Sequence, residues 1–304
     1  MTKKGMIRNM EKAKVYYTKN ITPESLIKVY EALGVKLEGN VAVKVSSGER
    51  GSKGYLKKEL IAPLVKMLKG TIIECNTAYP GARNTEKDHL EVLEEHGFTS
   101  FANVDVMDSE GEFKIPFNGK YLKYDIVGSH FKNYDSILNL AHGKGHAMGG
   151  FGANLKNQSI GIASRNGKAY IHSCGQDENP NTAWERPYKQ IEFIRSMAEA
   201  ATAVANYLQE NNKPIVYITV MNALSLDCDC DANQGDPVMQ DLGIIGSLDP
   251  VANDQAFIDM IWNSNDPGSV KLQERIDRQE GREILPYAES LGLGTRDYEL
   301  ISLD

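Results

Sequence analysis

Cysteine is scarce in this chain, with four among 304 residues: Cys75, Cys174, Cys228 and Cys230. So few exclude the disulfide framework of a small secreted domain and leave thiols that are buried or ligating. Long apolar runs are missing as well. None approaches the ~20 residues that span a bilayer, and residues 1–4 lead into no signal-peptide core, so the chain reads as cytoplasmic and without membrane contact. An excess of positive charge is also absent. The formal net charge of −7 argues against nucleic acid as a partner, because phosphate-backbone binding draws on clustered cations. The nearest approach to a basic patch, Lys53, Lys57 and Lys58, reads as the solvated face of a helix. Internal repeats, low-complexity tracts and clean linkers are lacking too.

What remains is ordinary globular composition, 41% hydrophobic and 25% charged. That is enough for a single domain over 1–304 or two intimate subdomains, about 1–175 and 176–304. Strand and helix patterns alternate. Short apolar strands near 13–17, 41–46, 71–75 and 135–140 are separated by amphipathic helices near 22–33, 57–68 and 85–96, the first capped by Thr22 and stopped by Gly34. Residues 103–124 carry turn signals and alternation, which predict an antiparallel hairpin excursion. A long helix is expected over 182–210 with Pro187 in its first turn, a strand over 213–220, another at 242–245, a helix capped by Asp249, and a closing helix and strand. The fold class is therefore α/β, a mainly parallel mixed sheet flanked by helices.

Two stretches concentrate chemistry. The first, AHGKGHAMGGFGANLKNQSIG over 141–161, follows an apolar strand and holds His142 and His146 with Lys144 between them. Glycines such as Gly150 and Gly152 leave backbone N–H groups free to face an anion, and Lys156 and Asn157 follow. Neither GxxxxGK[ST] nor a well-placed GxGxxG is present, so no nucleotide motif is involved. The stretch admits two readings, a ligand loop or an exposed glycine turn with surface histidines. Its place at the carboxyl end of a strand favours the ligand loop.

The second is DCDCD over 227–231. In an extended chain Cys228 and Cys230 share one face and Asp227, Asp229 and Asp231 the other, so two thiols face a soft metal and three carboxylates a hard one. The calcium-loop pattern fails for want of its glycine and closing glutamate. Flanking carboxylates raise a thiol's pKa unless a cation offsets them. Zinc or iron on Cys228, Cys230 and a histidine, His142 or His146, is one reading; two thiols in a tight acidic turn is the other.

Taken together, VAVKVSSGERGSKGYLKKELIAPLV, ECNTAYPGARNTEKDHLEVLEEHGF, the glycine-rich stretch, DCDC followed by DLGIIGSLDPVANDQA, and YAESLGLGTRDYEL resemble the domain of unknown function 362 family, often labelled iron–sulfur centre proteins. The resemblance covers nearly the whole chain. It implies that the His142–Lys144–His146 loop, Lys156 and Asn157, and Cys228 with Cys230 carry the site, with Cys75 incidental. The ferredoxin-like insertion common in that family is absent here, so a self-contained [4Fe–4S] cluster is not expected. Two functions follow as expectations. One is a metal-dependent or redox enzyme with a pocket from loops 46–54, 76–84, 142–157 and 227–236, with His142, Lys144 or His146 in acid–base work on a small anion. The other is a non-catalytic module holding a metal or anion for a partner electron carrier.

Overall fold

The computed structural model describes residues 12–304. The expectation about residues 1–4 lies outside that range.

The chain opens with β1 (Ala13–Thr18), α1 (Pro23–Ala32), β2 (Val41–Lys44), α2 (Lys58–Leu68), β3 (Thr71–Glu74), α3 (Glu86–Glu95) and β4 (Asn103–Val106). It continues through β5 (Glu112–Pro116), β6 (Tyr124–Gly128), β7 (Ser136–His142), β8 (Lys144–His146), β9 (Gly150–Gly152), α4 (Asn154–Ile162), α5 (Arg165–His172) and α6 (Gln190–Glu210). The last part is β10 (Ile215–Met221), β11 (Gly243–Ser247), α7 (Pro250–Trp262), α8 (Ser269–Arg278), α9 (Ile284–Ser290) and β12 (Tyr298–Ser302). Cap chemistry places several starts. Thr22 and Thr85 accept the N–H groups of Ser25 and Asp88, and Asp249 accepts those of Val251 and Ala252, which meets donors that a helix cannot satisfy internally.

Eight strands form one sheet in the order β12-β1-β11-β10-β7-β2-β3-β4. From β10 to β4 every pairing is parallel, while β11 runs antiparallel to both neighbours and β12 lies parallel to β1. Strand β7 is buried at every position, as a central strand covered on both faces must be. Its residues alternate between two packed layers. Leu138 and Leu140 join the layer beneath α1 and α2, and Ile137 enters the opposite one. Among the described residues no helix is long and apolar enough to cross a membrane.

Four expectations need correction. Strand β4 pairs with β3 in the main sheet, so the antiparallel excursion is only β5 with β6. The glycine-rich stretch is a hairpin, β8 against β9, running straight into α4. Helix α6 starts at Gln190, where the Glu192 carboxylate accepts the Lys189 N–H; Pro187 stands before it, in irregular chain. Finally, β10 ends at Met221, so Cys228 and Cys230 sit in a turn, closed by the Asp231 N–H on the Cys228 carbonyl, and not in an extended strand.

Candidate functional site

Parallel strands β2, β3, β7 and β10 all end on one edge of the sheet, where connections must leave the hydrogen-bonded ladder and can surround a ligand. There they enclose a cavity of about 620 Å³ lined from all four loops, by Glu49, Tyr79, Arg83, His146, Lys156 and Cys230 among others. Helix α4 is pinned over these strand ends by amide groups. Asn154 Nδ2 donates to Thr219 Oγ1 at 2.7 Å and to Asn253 Oδ1 at 2.8 Å. Asn157 donates to the Lys44 carbonyl and to Asn139, so its amide ties elements together and is spent on the chain itself.

At the cavity wall His146, Cys228 and Cys230 bring one nitrogen and two sulfurs within 4.8 Å of one another. Close backbone approach makes this possible. A Cβ on Gly145 would sit 2.3 Å from the Leu226 carbonyl oxygen, so only glycine lets the β8 hairpin lie against the segment that carries the cysteines. His146 Nε2 stands 3.7 Å from Cys230 Sγ, the Cys230 N–H donates to Cys228 Sγ at 3.2 Å, and Lys156 Nζ is 3.9 Å from the same sulfur.

These contacts assign the protons. His146 Nδ1 accepts from the N–H groups of Met148 (3.1 Å) and Gly149 (2.8 Å), so it carries no hydrogen. Burial holds the ring below the usual imidazole pKa, and in the neutral ring the proton then belongs to Nε2, facing Cys230. The Cys228 thiol is driven well below its ordinary range. Its hydrogen bond with Cys230 leads, and Lys156 and His146 add to it against the cost of burial. Cys230 moves the other way, raised first by its hydrogen bond with Cys228 and then by burial, so negative charge on the pair is favoured at Cys228.

The three neighbouring carboxylates do not form a second, hard site. Asp227 pairs with Arg275, and Asp231 is exposed and accepts the Asn233 N–H. Asp229, fully buried, faces His142 Nδ1 at 3.0 Å and Lys144 Nζ at 2.7 Å. His142 Nε2 in turn meets the Asn222 carbonyl at 2.6 Å. Both its nitrogens are engaged by acceptors within the protein, so of the two candidate histidines only His146 enters the cluster.

The expected anion nest is likewise occupied by the protein. Gly150 and Gly152 pair with His146 and Lys144 across the hairpin, and the N–H groups of Asn154 and Leu155 at the start of α4 both go to the Asp254 carboxylate at 2.9 Å. With Lys144 bound to Asp229, Lys156 is the member of the expected set still facing the cavity without a carboxylate.

Sequence reasoning missed a second group of cavity residues. Lys44 Nζ lies 2.7 Å from Glu74, and Arg83 lies 3.7 Å from Glu74 and 3.6 Å from Glu49. Lys168 and His172, four apart on α5, line the same cavity; that i, i+4 spacing was the available signal. Burial pushes Glu74 up, but Lys44 and Arg83 outweigh it and hold the carboxyl at about 2, against an ordinary value near 4.5. A depressed carboxylate contributes stability above its unfolded pKa and loses it as pH falls through the folded one. Glu74→Gln should therefore lower stability by roughly 3 kcal/mol at neutral pH, with the difference from wild type shrinking between pH 4.5 and about 2. Denaturant midpoints across that range are the check.

The profile of a family described as a domain of unknown function, DUF362, matches residues 41–259. No curated protein matches the sequence. Among solved structures, the lactate racemase apoprotein of Thermoanaerobacterium thermosaccharolyticum is similar at 11% identity and a TM-score of 0.47, over 82% of this chain and 57% of that one. A Thermotoga maritima protein is similar at 13% identity and a TM-score of 0.43, over 86% and 61%. The chain thus spans less than two thirds of the length of either.

Proposed function

Because the chain belongs to the DUF362 family, whose description names no activity, its function has to be read from its own cavity, and we propose a redox-related or metal-dependent enzyme centred on Cys228, Cys230 and His146. The observation that carries this is the convergence of two sulfurs and one imidazole nitrogen at the wall of an open cavity. The donor set suits a single soft ion, zinc or iron, with the cavity side free for a further ligand. It does not suit a four-cysteine cluster. The Cys75 thiol donates to the Ile162 carbonyl, and Cys174 lies in the apolar core beneath α6.

Bound there, the ion would act as a Lewis acid or a one-electron centre. The chain's own residues do the rest. Lys156 balances the negative charge of Cys228, and the Asp229–Lys144–His142 network draws the flanking carboxylate away from the sulfurs. Cys230 gives up its proton when a cation arrives. His146 must pass its proton from Nε2 to Nδ1, which requires the Met148 and Gly149 N–H groups to swing aside.

Anaerobic metal and sulfide analysis of the purified protein, followed by zinc titration of the metal-free form in buffers of differing ionisation enthalpy, tests this reading. We expect about one zinc ion, no sulfide, and release of about one proton per ion from Cys230. Failure to retain or take up any metal would end the proposal. Turnover then separates an enzyme from a module that merely holds a metal or small anion for an electron carrier. The lining of the cavity by lysine, arginine and histidine favours the enzyme and a small anionic ligand.

A further inference from the structure

Five cations line the cavity, and four are matched. Lys44 and Arg83 share Glu74, Arg83 also faces Glu49, Lys144 faces Asp229, and Lys156 faces the Cys228 sulfur. Lys168 is different. It is only 6% exposed, and its ammonium donates to two backbone carbonyls, Ala163 at 2.5 Å and Cys75 at 3.4 Å. Among the described residues it makes no ion pair. An ammonium has three hydrogens, so one remains unassigned on a group that lines the cavity. Asp125 lies in the same region, but burial pushes its carboxyl up to about 7, and its Oδ2 finds no partner. It does not supply a full counter-charge.

His172 lies one turn further along α5. Its Nδ1 donates to the Lys168 carbonyl at 2.7 Å, which fixes the other nitrogen, Nε2, as a bare acceptor in the neutral ring. The ring lines the cavity and packs against Trp184, with centroids 4.8 Å apart; Trp184 itself is 38% exposed and also lines the cavity. A buried ammonium lacking an anion is costly, and His172 Nε2, on a ring that lines the cavity, meets no donor among the described residues. Both needs are met by a ligand with one negative charge and its own N–H or O–H.

We infer that Lys168 and His172 form a subsite for the head of a small organic carboxylate, with Lys168 pairing the charge, His172 accepting a hydrogen bond from the ligand, and Trp184 covering its apolar part. Phosphate is a poorer fit. It calls for several donors, commonly backbone N–H groups at a helix start, and both nearby starts are closed. Asp254 takes those of α4, while Asp108 and Ser164 take the Arg165 and Gly167 N–H groups of α5. The inference deepens the reading of the cavity as an anion site and does not depend on a metal.

The test measures binding of 2-hydroxybutyrate, which carries one charge, one O–H and a short apolar chain, of its uncharged counterpart 2-hydroxybutyramide, and of inorganic phosphate to the full chain by calorimetry. 2-Hydroxybutyrate should bind best. Lys168→Met should weaken it by about tenfold to a hundredfold, the size of one charge-assisted hydrogen bond, and Lys168→Arg should recover part of that loss. Methionine follows the path of the lysine stem and buries no charge, so the fold should hold; Lys168→Gln serves if it does not. Equal 2-hydroxybutyrate affinity in these variants, or phosphate binding as tightly as 2-hydroxybutyrate, would overturn the assignment. Running the series again in a Cys228→Ser, Cys230→Ser background separates the two claims. 2-Hydroxybutyrate binding that persists there supports the subsite whatever becomes of the metal, and metal content unchanged in Lys168→Met supports the metal whatever becomes of the subsite.

Discussion

Serine in place of both Cys228 and Cys230 should abolish the proposed metal binding, from about one ion per chain to nearly none, without unfolding the protein. Zinc needs sulfur at ~2.3 Å and nitrogen at ~2.0–2.1 Å, and the double substitution removes two of the three donors that can contract onto one point. His146 alone cannot hold the ion against solvent. The fold should survive because each serine oxygen inherits a role. At 228 it can accept the Cys230 N–H and face Lys156, as the sulfur does now, and at 230 it lies on the cavity wall. Metal content measured by plasma spectrometry on anaerobically prepared protein decides the matter, with circular dichroism as the control. An unchanged metal content in a folded double variant would place the ion elsewhere and sink the proposal.

Asp229→Ala should have the largest effect on stability, a loss on the order of 3–5 kcal/mol. The carboxylate is completely buried and is held far below the ordinary range, because the attraction of Lys144 and His142 outweighs the penalty of burial. Truncation leaves the Lys144 ammonium, itself 4% exposed, without an anion. A loss of that size should lower the melting temperature by roughly 10 °C. Asp231 provides the internal comparison. It is exposed and only receives a local N–H, so Asp231→Ala should stay within about 0.5 kcal/mol of wild type. Similar losses in the two variants would mean that the buried network is not what holds this turn.

Much of the sheet was legible because its signals are local. Thr22, Thr85 and Asp249 each stand directly before the helix they cap, and β7 and β10 are mostly apolar runs of the kind a doubly covered strand carries. Strand β4, only four residues long and half exposed, reads like hairpin text because its identity comes from pairing with β3 and not from its own pattern. Helix α5 was hidden for the same reason. RNGKAYIH is short and polar on average, with a glycine at its third position, and its start depends on Ser164 and on Asp108, far off in sequence. At the site, residue types pointed to the histidine loop and the two cysteines, but not to which histidine does what. His142 and His146 differ only in what packing sets against their nitrogens, acceptors in one case and two N–H donors in the other. The anion nest was misjudged because nothing near the glycines announces that Asp254, about a hundred residues on, fills the helix start. The i, i+4 spacing of Lys168 and His172 hinted at a pair, but only the packing of α5 beside the cavity gives that pair a place in the site.

The contact between His146 and Cys230 joins residues 84 apart in sequence. Between them lies the whole crossover that β10 must complete before it can pair with β7. No shorter piece of chain can bring sulfur and imidazole together, and closing so long a loop must be offset by contacts elsewhere before the centre gains anything. On the proposed metal reading, ion capture would be a late event in folding, and an absorption signal from cobalt at this centre would serve as a clock for the pairing of β10 with β7.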